Sequence, residues 1–287
     1  MTVARRTASL ALATLLLSSP AAGQTVDDGR GGIHWAYANY FGTGWYSIGD
    51  ERDVFVLKAD KRWSGDGAGF NDDGSRRYRT EWRLPVLFGL NRFELDDPLG
   101  IVDLDNVAFL SVNPSALIEI PVTRRWTLKP QLGGGYGQAL DGSESAWTYS
   151  AVVRSRLSFE ADRFDWHILN LAGFVGYTPD RGSSDRLWPL MAALAVDYPI
   201  GGSDAGRKLN WHLAYTTYAS DLDFVVGGDT ERPISDEWEL GVALTRRGQP
   251  VLRIGWFEFE RLGLGYRRSS NGELEGVTLL FRSLFDQ

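Results

Sequence analysis

Arginine and glutamate recur at every second position in this chain: Arg77, Arg79, Glu81 and Arg83, then Arg154, Arg156 and Glu160, then Glu237 and Glu239. Arg253, Arg261 and Arg267 continue the same parity toward the C-terminus. If such residues share one face, two chemistries follow. A row of guanidinium groups facing water between low-dielectric walls attracts anions, because the walls focus the field. The same row interleaved with carboxylates pairs with itself and fills a narrow interior.

Other reactive patterns are weaker. Ser269 Ser270 Asn271 Gly272 resembles the His-x-Ser-Asn-Gly stretch of outer-membrane phospholipase A, but Arg268 stands where the base would be. A permanent cation cannot take a proton from serine, and Ser-Asn-Gly beside a strand forms a hairpin turn. His34, His167 and His212 lie on separate segments without metal-ligand spacing, and Asp96, Asp97, Asp103, Asp105, Asp221, Asp223 and Asp229 match no EF-hand. There is no phosphate-loop pattern and no cysteine. The expectation is a protein without enzymatic activity, metal or cofactor. A formal net charge of −7 argues against nucleic acid as a partner.

The elements that must position the charged rows read as long strands. From Arg77 to Leu90 one face carries Tyr78, Thr80, Trp82, Leu84, Val86, Phe88 and Leu90, and the other Arg77, Arg79, Glu81, Arg83, Pro85, Leu87 and Gly89. From Trp147 to Glu160 one face carries Trp147, Tyr149, Ala151, Val153, Ser155, Leu157 and Phe159, the other Thr148, Ser150, Val152, Arg154, Arg156, Ser158 and Glu160. A period of two describes a strand with one apolar and one polar face. Globular strands average ~5 to 6 residues, whereas ~9 to 11 cross a membrane at a tilt. Similar patterns place strands at 31–41, 52–62, 76–92, 106–121, 124–140, 146–160, 163–178, 187–199, 208–218, 235–246, 250–268 and 273–285. The predicted fold is all-β, a transmembrane antiparallel up-and-down barrel of about twelve strands, with ten or fourteen as the other counts.

Trp82, Trp126, Trp147, Trp166, Trp188, Trp211 and Trp238 fall mostly near predicted strand ends, as an aromatic girdle requires. Gly133, Gly135 and Gly137 share one inward face, as do Gly263 and Gly265. They clear lumen space for a plug or substrate, or they serve curvature and close backbone approach. At the N-terminus Arg5 and Arg6 precede an apolar run, Ala8 to Leu17, and a small-residue region ending at Gly23. That is a signal-peptide pattern over residues 1–23, followed by a short segment 24–30 and a barrel domain 31–287.

Arg79 to Gly89, Ile234 to Gly241, Arg261 to Tyr266 and Gly276 to Phe285 together resemble the solitary outer-membrane autotransporter-like β-barrel family. The resemblance implies a porin-like, twelve-stranded barrel in a Gram-negative outer membrane. It also implies recognition of the last strand by the assembly machinery and contact with outer-membrane lipids and lipopolysaccharide, and it supplies no catalytic residues. Only residues 24–30 precede the first predicted strand, so a passenger secreted in cis is not expected. The expected role is structural or transport-related, the alternative a narrow diffusion channel for small anionic solutes. Val277, Leu279, Phe281 and Phe285 are expected to form the lipid face of the assembly strand, so that deleting residues 284–287 blocks assembly.

Overall fold

The computed structural model describes residues 42–48, 52–91, 107–140, 142, 144–161, 164–180, 184–200, 206–226, 230–246, 249–254 and 257–286. The predicted signal peptide, the segment 24–30, the first predicted strand at 31–41 and His34 lie outside these residues.

Alternating sequence becomes strand almost throughout. In chain order the strands are β1 (Gly44–Ile48), β2 (Arg52–Ser64), β3 (Gly69–Phe70), β4 (Arg76–Arg77), β5 (Arg79–Asn91), β6 (Val107–Val112), β7 (Ser115–Pro121), β8 (Trp126–Ala139) and β9 (Ser145–Glu160). There follow β10 (Asp165–Pro179), β11 (Asp185–Leu187), β12 (Pro189–Ile200), β13 (Arg207–Val226), β14 (Thr230–Arg246), β15 (Leu252–Ile254), β16 (Phe257–Phe259), β17 (Arg261–Ser269) and β18 (Leu274–Leu279). β6 and β7 both pair with β5 and β8, and β11 continues β12 along β10, so each couple acts as one spanning strand. The result is a closed antiparallel ring of twelve strands.

Closure depends on one seam. β1 pairs with β18 from Gly44 opposite Thr278 to Ile48 opposite Leu274. In hydrocarbon an unpaired backbone group costs several kcal/mol, so a spanning sheet must have no edge. Gly276 makes the seam fit: a Cβ there would lie 2.6 Å from Tyr46 Cδ1 and 2.7 Å from Trp45 O.

The distribution of side chains is inverted relative to a soluble protein. Leu132, Leu213, Leu264, Leu240 and Val277 are exposed on the outer wall, as are Trp63, Trp82 and Trp147. Glu81, Arg83, Lys129, Asn210, His212, Glu237, Glu239 and Arg267 are buried inside the ring. Water on both sides of such a wall would leave these large apolar side chains solvated along strand after strand. A lipid-facing wall around a polar interior removes that conflict.

Two irregularities shape the wall. The ring strand made of β6 and β7 breaks at Asn113–Pro114, where Asn113 N donates to Pro85 O and Gly134 N to Pro114 O. Asn113 crowds against Gly135, where a side chain would meet its Cα at 2.6 Å. The pairing of β13 with β14 shifts between Thr217 and Leu222, which extends that hairpin beyond the predicted ends at 218 and 235.

Three predicted boundaries need correction. The predicted strand 250–268 is two pieces, because β15 and β16 form their own two-stranded sheet and the ring strand starts at Arg261. The predicted strand 76–92 likewise starts at Arg79 in the ring, with Arg76–Arg77 paired instead to Gly69–Phe70. The last strand ends at Leu279 rather than reaching 285. Gly44–Ile48, expected as a connection, is a ring strand.

Candidate functional site: the occupied lumen

Near the end of the ring remote from Leu279, Tyr46, Leu87, Phe109, Leu187, Tyr218 and Ile234 pack into one apolar layer inside the ring. The polar clusters lie nearer the other end. On β5, Glu81 accepts from Arg83 Nε at 2.6 Å and from Arg79 Nη2 at 3.1 Å. Arg62 Nε lies 3.6 Å from the same carboxylate. Glu119 lies 3.9 Å from Arg79 and 3.6 Å from Arg156. On the opposite wall, Arg267 holds Glu239 at 2.8 Å and Glu237 at 3.3 Å, and His212 Nε2 lies 2.8 Å from Glu239. Gly241 makes room for that imidazole, since a Cβ there would come within 2.6 Å of His212 Nε2. A third cluster joins Lys208 to Asp165 at 2.6 Å, and Asn210 Nδ2 to Asp197 at 2.6 Å.

The segment that follows β18, residues 280–286, enters this interior. Leu280 N donates to Gly263 O, and Arg261 N donates to Phe281 O, which is the last ladder bond with β17. β17 begins at Arg261, so residues beyond Phe281 have no ladder partner on that side. Arg282 pairs with Asp60, and Asp286 N donates to Ser283 O to close a turn. Leu284 and Phe285 pack on an inner apolar wall formed by Val152, Leu169, Leu171, Val175, Met191, Ala193, Ala195 and Ala214. The Phe285 ring lies 4.3 Å from Lys129 Nζ and 4.4 Å from the Arg156 guanidinium. Lys129 also pairs with the Asp286 carboxylate, while Asp286 O accepts from Arg62 Nη2 at 2.5 Å and Arg83 Nη1 at 2.8 Å. A cavity of about 120 Å³ remains between the apolar layer and the tail, bordered by Leu87 on one side and Leu284 on the other.

Of the charged row read from sequence, Arg79, Glu81, Arg83, Arg154, Arg156, Glu237, Glu239 and Arg267 lie in these clusters or line the cavity. Arg261 reaches Asn210 Oδ1 at 2.6 Å. Arg77 does not join them: it sits on the exposed β3–β4 hairpin and donates to Gly67 O. Arg253 is exposed on β15, outside the ring, and Glu160 is exposed at the end of β9. Alternation persists in exposed hairpins and at frayed ends, which is why parity alone gathered all three.

Of the predicted assembly strand, Val277 faces outward and Leu279 is the last residue of β18. Phe281 lies past it, its ring 4.8 Å from that of Phe259. Phe285, expected on the lipid face, is inside, because the ladder that would hold it outward ends first and cations inside receive its ring.

The predicted girdle tryptophans and Trp63 lie on the outer wall. Trp63 is directly opposite Trp82, while Trp126 is the first residue of β8 and Trp166 the second of β10. Toward the other end Trp147 contacts Tyr136, Trp188 contacts Phe174 and Trp238 contacts Tyr266, at ring distances of 5.1, 5.4 and 5.5 Å. Trp211 is exposed within β13. Along β10, Trp166 and Phe174 are ~26 Å apart at ~3.3 Å per residue. Ser269 is a turn clamp: its hydroxyl donates to Asn271 Oδ1 and accepts from Leu274 N.

Asp60, Arg62, Glu119, Lys129, Arg282 and Asp286 are central here and were absent from the charged row expected from sequence. Lys129 was findable, since it alternates inward with Gly133 and Gly135 on one strand. Asp286 was not, because no local pattern signals a chain that turns back into its own barrel.

No family model and no curated protein matches the sequence. The structure is similar to the translocator domain of the autotransporter NalP from Neisseria meningitidis, with a TM-score of 0.52 and 9% identity over 82% of each chain. The ring of twelve antiparallel strands thus has the fold of an outer-membrane autotransporter translocator barrel.

Proposed function

We propose that this protein is an integral outer-membrane barrel, without enzymatic activity and closed at rest, with a structural or transport-related role. The observation that carries the closed state is the tail: Phe285 and Asp286 occupy the interior and engage Lys129, Arg156, Arg62 and Arg83. The apolar outer wall supports contact with outer-membrane lipids and lipopolysaccharide, and the β1–β18 seam supports insertion by the outer-membrane assembly machinery. Reconstituted into planar bilayers, the protein should be heat-modifiable and electrically silent. Steady conductance of the unaltered chain would overturn the closed state, and solubility without detergent would overturn the membrane assignment.

A second reading is a narrow diffusion channel for small anionic solutes, which the inward Arg83, Arg154, Arg156 and Arg267 favour. It requires the tail to leave. Conductance that appears on tail release, prefers anions and loses that preference in Arg154→Ala/Arg156→Ala would support it, and liposome swelling with graded solutes would give its size limit.

A further inference from the structure

The tail reports what chemistry this lumen recognises. Its carboxylate sits on Lys129, a side chain only 2% exposed, and its aromatic ring faces both Lys129 and Arg156. Its apolar atoms rest on Leu169, Leu171 and Met191. An aromatic body with one carboxylate satisfies each of these contacts.

Three further observations indicate that the site can take a molecule other than the tail. First, beyond Phe281 the tail has no ladder bond to β17, so its departure breaks no hydrogen bond between ring strands. Second, the tail does not fill the site, since a cavity of about 120 Å³ continues past Leu284. Engineered apolar cavities of ~150 Å³ bind benzene, and withdrawal of the tail, whose Leu284 borders this one, would enlarge it. Third, the cavity wall is amphipathic. Leu171, Val175, Met191 and Ala214 line it on one side. Lys58, Arg83, Arg154 and Arg267 supply four formal positive charges against three negative ones from Asp60, Glu237 and Glu239. The difference of one positive charge suits a monoanion. Gly133, one of the inward glycines, lines the same wall, where a Cβ would approach Ser150 Oγ to 2.8 Å.

We propose that the lumen is a binding site for a small aryl carboxylate, with Phe285–Asp286 as its displaceable resident. This rests on the closed-barrel reading above, and makes the tail a competitor. A tail docked for 90 to 99% of the time weakens apparent affinity ~10- to 100-fold.

The test uses 3-phenylpropanoate as probe and full-length protein refolded in detergent, with heat-modifiable migration verifying the barrel and empty micelles as the blank. Isothermal titration calorimetry should show at least tenfold tighter binding to Phe285→Ala than to the unaltered chain. Adding Lys129→Met to that background should lose at least tenfold. The neutral 3-phenylpropanol and the ringless propanoate should each bind at least tenfold more weakly than the probe. Absence of saturable binding to a correctly folded Phe285→Ala barrel, or equal binding of the alcohol, would overturn the proposal. If Phe285→Ala does not fold, Asp286→Asn provides the same measurement. Failure of the closed-barrel reading is separately visible, as steady conductance of the unaltered protein.

Discussion

Replacing Lys129 with Met removes the cation that touches both the carboxylate of Asp286 and the ring of Phe285, at nearly constant side-chain volume. Removing one partner of a fully buried ion pair costs ~3–5 kcal/mol. The cost here is smaller, because the Asp286 side chain is 23% exposed and keeps a 2.7 Å bond from Ser283 Oγ. Its carbonyl also keeps Arg62 and Arg83. A loss of ~2 kcal/mol remains, which shifts the docking equilibrium ~30-fold. Carboxypeptidase reads that equilibrium directly: release of free phenylalanine from position 285 requires the tail to leave the lumen. When undocking is fast relative to cleavage, the rate follows the open population. For a tail docked 90 to 99% of the time, phenylalanine release should therefore rise ~8- to ~23-fold in Lys129→Met while the barrel stays heat-modifiable. A double-mutant cycle with Asp286→Asn should show coupling of ~0.5–3 kcal/mol, since the residues are in contact. An unchanged rate in an intact Lys129→Met barrel would refute the docked tail.

The remaining predictions concern the wall and the seam. Gly276→Val should abolish the heat-modifiable form by driving a side chain into Tyr46, while Gly67→Ala, with nothing within 4 Å, should not. Glu239→Gln should lower stability against urea by ~3 kcal/mol, because Arg267 and His212 lose the carboxylate they share in a buried site. Leu213→Arg, on the lipid side of β13, should cost ~2–4 kcal/mol in urea unfolding from bilayers if it lies near the midplane. A cost near zero would place Leu213 at an interface or away from lipid.

The alternation on β5 carried most of the architecture. Trp82, Leu84, Val86 and Phe88 against Glu81 and Arg83 fix which face is inside, and the structure keeps that parity. Lengths above ~9 residues separate spanning strands from those of a soluble sandwich, as β9 and β10 show with 16 and 15 residues. What alternation does not encode is where a ladder ends, because that depends on the partner's length. Arg77, Arg253 and Phe285 keep the inward or outward phase of their neighbours, yet two lie on separate hairpins and one turns inward. The deletion of residues 284–287, expected from sequence to block assembly, accordingly acquires a different expectation. The seam runs through residues 274–279 of β18, so the deletion should leave the barrel assembled and the inner site under the tail open to solvent from that end.

The most direct test of the account compares the outer wall with the tail inside it. The chain has no cysteine, so spin labels at Val277→Cys, Leu213→Cys and Phe285→Cys report single sites in proteoliposomes. Power-saturation EPR should find the labels at 277 and 213 accessible to lipid-dissolved oxygen, and the label at 285 shielded from it. An oxygen accessibility at 285 equal to that at 277 would contradict the inward tail and return the C-terminus to the lipid face.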